Sequence, residues 1–216
     1  GFPQIQFEGA SVGNWRTRVR AVDMYTVALG GDSKISLEGL KFKLGPDRVI
    51  PLCRFVEDRP YVIDKIKHSE LYEYYEVKDG VDVSILTEKE KRVYDGIVGK
   101  GALNKMEIID HVEGLWVIDE ELKSMVRKEV LSIASLTPTD VMVFLGKFEA
   151  GNKEGAEAGI YALGERMGMT KRQVATVLFD EIKAQQIEHG TMQRESYNYA
   201  YGEGLNSSLR VNRGEG

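Results

Sequence analysis

The sequence predicts an α+β protein, with an antiparallel β-meander first, a three-helix unit in the middle and further helices behind it. Through Cys53, runs of β-branched and aromatic residues are broken by Gly-rich turn signals, as in paired strands. From Leu86 onward the apolar period lengthens to that of a helix, and Ser, Thr or Asn caps recur at the helix starts. The chain has 216 residues, 42% hydrophobic and 29% charged, enough for one generous domain or two small ones.

Element by element, VRAVDMYTVAL (19–29) reads as a strand running into the turn Gly30-Gly31-Asp32-Ser33. KISLEGLKFKLG (34–45) alternates Ile35, Leu37, Leu40, Phe42 and Leu44 with polar neighbours. It predicts a hairpin with its tip, and a one-residue adjustment, at Glu38-Gly39. RVIPL (48–52) is a third short run that would complete the meander. ELYEYYEVKDGVDVSIL (70–86) suggests another hairpin around Asp79-Gly80, with Tyr72, Tyr74 and Tyr75 either bridging a half-buried sheet and solvent or forming an aromatic recognition face. Residues 1–85 are thus expected to be β-rich.

Thr87 with Glu90, and Asn104 with Glu107, are capping-box pairs opening two short helices. EELKSMVRKEVLSIAS (120–135) reads as a third, so 86–135 predicts a helix-turn-helix or winged-helix-like insert. Behind it, Thr137-Pro138 starts a helix, an Ala/Gly-rich helix over 152–167 ends at Gly168, and Thr170 caps a long helix reaching Gly190. Residues 136–192 form this last helical segment, and the Gly/Asn/Ser-rich stretch 193–216 reads as a flexible tail.

Charge and cysteine usage narrow the function classes. Acidic residues outnumber basic ones, 34 to 29, for a net charge of −5, which argues against an affinity built on neutralising phosphates. The second helix of the three-helix unit, NKMEIIDHVEG, is itself acidic, so nucleic acid is a poor partner for it. No run approaches the length of a membrane span, Cys53 is the sole cysteine, and a cytoplasmic location is expected. Cys53 reads as a buried structural thiol, while His68, His111 and His189 match no metal-ligand spacing. Arg16, Arg18 and Arg20 alternate along a strand, either as a solvated face or as phosphate contacts.

The segment with the most chemistry is Gly30–Ser33. Two glycines, a carboxylate and a hydroxyl after a strand are able to cradle phosphate and help to hold a cation, although the same residues also make an ordinary turn. VDMYTVALGGDSKI, then KLGPDRVIPLC, then LTPTDVMVFLGKF, together with MGMTKRQVATVLFDEI, resembles in order the hydantoinase/oxoprolinase family. The resemblance covers about 7–53 and 136–190. It implies an actin-like ATPase fold in the full-length protein and ATP-dependent opening of small cyclic amides, or action on a related carbonyl substrate, with a possible partner subunit of the same system. It further implies nucleotide contacts at Thr26, Gly30, Gly31, Ser33 and Thr139, and Mg²⁺ ligands at Asp23, Asp32 and Asp140. Asp140 reads equally well as a structural cap, because a carboxylate at a helix start is stabilised by the helix dipole. Tyr25 stands where many relatives carry histidine, and the acidic-Gly-Gly-Thr phosphate loops of the family are missing. The chain is therefore expected to be an internal piece of a larger protein, inactive alone. If the site reading holds, Gly30–Ser33 and Asp140 should lie within the order of 10–15 Å of one another.

Overall fold

The computed structural model describes residues 5–6, 11–12, 15–16, 21–22, 30–38 and 41–188. Strands β1 (Ile5–Gln6), β2 (Ser11–Val12), β3 (Trp15–Arg16) and β4 (Ala21–Val22) form two short antiparallel pairs, β1 with β4 and β2 with β3. The rest of the strand expected over 19–29, and the tail over 193–216, lie outside the described residues.

β5 (Ser33–Glu38) and β6 (Lys41–Arg48) form the expected hairpin, with Glu38 opposite Lys41. Its irregularity lies at the far end from the tip. The register shifts between Ser33 and Ile35, opposite Leu44 to Arg48, where Gly45 at φ 66° turns the strand. The third run of the meander does not join this hairpin. β7 (Ile50–Pro51) pairs instead in parallel with β10 (Leu131–Ser135), in a four-stranded sheet ordered β7-β10-β8-β9 with β8 (Tyr74–Val77) and β9 (Leu103–Asn104).

Three expectations are corrected here. Within 1–85, α1 (Leu52–Phe55) and α2 (Tyr61–Ser69) are helical. Val62, Ile63 and Ile66 fall on one buried face of α2, a helical spacing behind Pro60. Residues 83–85 form a 3₁₀ turn under the Asp82 side chain rather than the second strand of a hairpin. The helix expected over 120–135 stops early, and α5 spans Asp119–Arg127. Glu129, at φ 59°, reverses the chain, and Leu131–Ser135 leaves as β10, antiparallel to β8. Pairing on both sides of β10 overrides the local helical pattern there.

The remaining helices are α3 (Glu88–Ile97), α4 (Lys105–His111), α6 (Pro138–Phe144), α7 (Lys153–Met167) and α8 (Lys171–Glu188). Both expected capping boxes are present: Thr87 with Glu90 opens α3, and Asn104 with Glu107 opens α4. A main core gathers Ile35, Leu52, Val62, Ile66, Tyr74, Leu136, Ile160, Leu163 and Leu178. The middle segment has a core of its own, built from Val93, Ile97, Ile108, Ile118, Leu122 and Met125, with Tyr75 and Leu131 as its floor. This lobe leaves and returns at one place, where the Lys78 amide donates to the Val130 carbonyl (3.0 Å). Tyr61 and Lys65 on α2 hold it: the Tyr61 hydroxyl accepts from the Ala102 amide (2.9 Å), and Lys65 pairs with Glu107 (2.9 Å).

The small residues of α7 let it lie against the rest of the main core. A Cβ at Gly159 would fall 2.4 Å from Leu52 Cδ1. No helix among the described residues is long and apolar enough to cross a membrane.

Candidate functional site

β5 runs beside the start of α6, with the Ile35 amide donating to the Leu136 carbonyl (2.9 Å). This pairing brings the Gly30–Ser33 turn onto the first turn of α6. Thr139 donates twice to the Gly31 carbonyl, from its amide (3.0 Å) and from Oγ1 (2.7 Å). Two segments more than a hundred residues apart are thus in direct contact, as the site reading requires. The turn is internally closed. Gly30 N–H donates to Ser33 Oγ (3.0 Å), and the Ser33 amide returns to the Gly30 carbonyl (3.1 Å). The amides of Gly31 and Asp32 have no partner among the described residues. Asp32 is half-exposed and meets Arg48 at 3.3 Å.

Asp140 sits one residue deeper and is fully buried. Its Oδ1 accepts from the Cys53 amide (2.8 Å). Its Oδ2 accepts from the amides of Leu52 (3.2 Å) and Thr137 (2.9 Å) and from Thr137 Oγ1 (2.8 Å). The Asp140 amide donates back to Thr137 Oγ1, closing a capping box on α6. One carboxylate therefore caps two helices, because Pro51 ahead of α1 offers no side-chain cap of its own. Burial pushes the Asp140 carboxyl above its usual range, and the Cys53 and Thr137 donors pull against that shift. The neighbouring Cys53 thiol is fully buried, and burial together with the Asp140 charge raises its pKa well above that of a free thiol. It stays protonated and unreactive, in keeping with a structural role.

Of the expected site residues, Gly30, Gly31, Asp32, Ser33, Thr139 and Asp140 converge at this junction. Asp23 and Thr26 lie outside the described residues. Among the described residues no three His, Cys, Asp or Glu side chains gather where a metal ion would sit. Among the described residues the junction leaves the Gly31 and Asp32 amides as donors able to meet an anion, with the Asp32 carboxylate turned to Arg48 beside them. It does not itself make a metal centre: the Asp140 oxygens already accept four hydrogen bonds and are sealed from solvent.

The sequence reading missed the bonds from Leu52 and Cys53 to Asp140. Pro51 preceding an uncapped helix is the signal that could have pointed to them, since such a helix needs an acceptor from elsewhere.

No family model, curated protein or solved structure matches the chain.

Proposed function

We propose that this chain is part of an ATP-dependent hydrolase that opens small cyclic amides such as hydantoins and 5-oxoproline, built on an actin-like ATPase core. In this reading the Gly31–Thr139 junction forms one wall of the nucleotide site. The observation that carries it is the pair of hydrogen bonds from Thr139 to the Gly31 carbonyl, which brings together the two motif segments of the resemblance.

When bound, Mg·ATP would supply the phosphoryl group that activates the amide carbonyl. The part left to this chain is positioning. Gly31 and Asp32 present amide donors, Asp32 is half-exposed, Thr139 fixes the turn against α6, and Asp140 caps α6 and α1 behind it. Asp140 is a positioning residue in this scheme. Asp32, half-exposed beside Arg48, is the described carboxylate that would meet a cation, and Asp23 is a second ligand only as the resemblance implies it.

ATP binding and ring opening of hydantoin and 5-oxoproline, measured in the intact protein and in residues 1–216 alone, test the proposal. Mg²⁺-dependent turnover confined to the intact protein is expected, because phosphoryl transfer depends on positioning that one wall does not supply. An intact protein that neither binds nor hydrolyses ATP would overturn it.

A second reading, an interaction module built on the winged-helix-like lobe, is favoured by one observation. Trp116 and Val117, between α4 and α5, are 82% and 73% exposed. A large aromatic residue held in solvent is a usual anchor of protein interfaces. Asp110 and Glu113 beside it are acidic and suit a protein partner better than nucleic acid.

A further inference from the structure

A second concave surface lies where the two cores meet. Its walls are Lys34–Leu37 of β5, the connector Leu71–Glu73, Lys105 at the start of α4 and the exposed Arg166 in the last turn of α7, around a half-open cavity of about 240 Å³. It is separate from the Gly30–Ser33 turn in its lining and in its charge.

Two of its three cations are already neutralised. Lys34 pairs with Glu73, and Lys105 with Asp119 (2.6 Å). Glu73 is also held by the Tyr75 hydroxyl, which keeps its carboxylate committed on both oxygens. Arg166 has no carboxylate partner among the described residues. Its guanidinium carbon lies 5.9 Å from the centroid of the Tyr72 ring. Among the described residues the cavity therefore carries one positive charge without a carboxylate partner, on a chain whose net charge is −5. The Tyr72 residue is 7% exposed, and its hydroxyl is not among the sealed, unpartnered side-chain groups of the described residues, so it reaches the cavity's solvent. Burial raises its pKa, which keeps the hydroxyl a donor.

A planar guanidinium set over an aromatic ring keeps its N–H edge free for a two-toothed contact with an oxyanion. The Tyr72 hydroxyl adds a neutral donor, while the Lys34 and Lys105 ammonium groups stay committed to Glu73 and Asp119. We propose that this cavity binds a small molecule through a carboxylate or phosphate group, with Arg166 as its principal anchor and Tyr72 as the second donor. The proposal does not rest on the ATP-dependent reading, since none of its residues belongs to the Gly31–Thr139 junction.

Titration calorimetry of the whole chain with sodium phosphate and with sodium succinate, at low ionic strength and against matched sodium chloride, tests it. Saturable binding is expected in the unmodified chain and in Arg172→Gln, an exposed control on α8. Arg166→Gln should weaken binding about tenfold or more, the effect of losing a charge-assisted hydrogen bond. Arg166→Lys, which keeps the charge but not the fork, should fall between the two. Tyr72→Phe should weaken binding in proportion to one lost donor. Binding of phosphate alone identifies a phosphate-bearing ligand, and binding of succinate alone a carboxylate. Heats equal to those of sodium chloride, or an affinity unchanged by Arg166→Gln, would overturn the proposal.

Discussion

At Asp140 a single carboxylate accepts four hydrogen bonds from three residues in two separate segments. An amide in its place would turn an N–H₂ group toward backbone donors and leave at least one of them unmet. Asp140→Asn is therefore expected to cost about 3 kcal/mol or more, the range for breaking a buried charged network. Urea denaturation should show a lowered midpoint with little change in slope. Under the proposed ATP-dependent activity, turnover and melting temperature should fall together in this variant; normal stability with activity alone lost would instead favour a ligand role. Gly151 offers a harsher case. It sits at φ 60°, and a Cβ there would fall 2.5 Å from the Cys53 carbonyl oxygen. Neither strain nor contact is relieved by a rotamer change.

Among the elements, α3 and α5 are joined by Glu90, which is 3% exposed and meets Lys128 at 2.6 Å. Burial alone would raise its pKa, but Lys128, the Ser124 hydroxyl and the Thr87 donors outweigh this and bring it down to about 2. A carboxyl held lower in the folded chain than its ordinary 4.5 contributes stability above that value and loses it as the pH falls toward 2. The lobe should accordingly loosen on acidification through this window, and Glu90→Gln should flatten that part of the stability curve. Circular dichroism melts at several pH values between 2 and 6 check it; an unchanged acid limb in the variant would assign the effect elsewhere. The Thr87–Glu90 and Asn104–Glu107 caps were legible because a capping box is written in four consecutive residues. The strand Leu131–Ser135 was not, because its pairing with Tyr74–Val77 and Ile50–Pro51 depends on distant chain. The same holds for the candidate site. Its Gly-rich turn and Thr-x-Thr-Asp stretch could be read locally, whereas the commitment of Asp140 to Leu52 and Cys53 is long-range.

For the whole molecule, two apolar cores share one sheet, and the lobe is fastened to α2 by Tyr61 and Lys65. Trp116 takes no part in either core. Trp116→Ser is expected to leave the unfolding free energy from urea titration unchanged within about 0.5 kcal/mol, as for other surface substitutions. A marked destabilisation would mean that the ring packs in solution and would remove it as an anchor for a partner. The point where the lobe joins the sheet has a further consequence. Val77 and Leu131 face each other across β8 and β10, and Lys78 bonds to Val130 just beyond them. The fifty-odd residues between are spliced into what would otherwise be a plain hairpin, and their ends are already side by side. Closing such a loop adds only slowly to the entropic cost of folding as it lengthens, by about 0.6 kcal/mol per doubling. The lobe is thus placed where evolution could lengthen, replace or delete it as a cassette, so long as its successor covered the faces of Tyr75 and Leu131 that it now shelters.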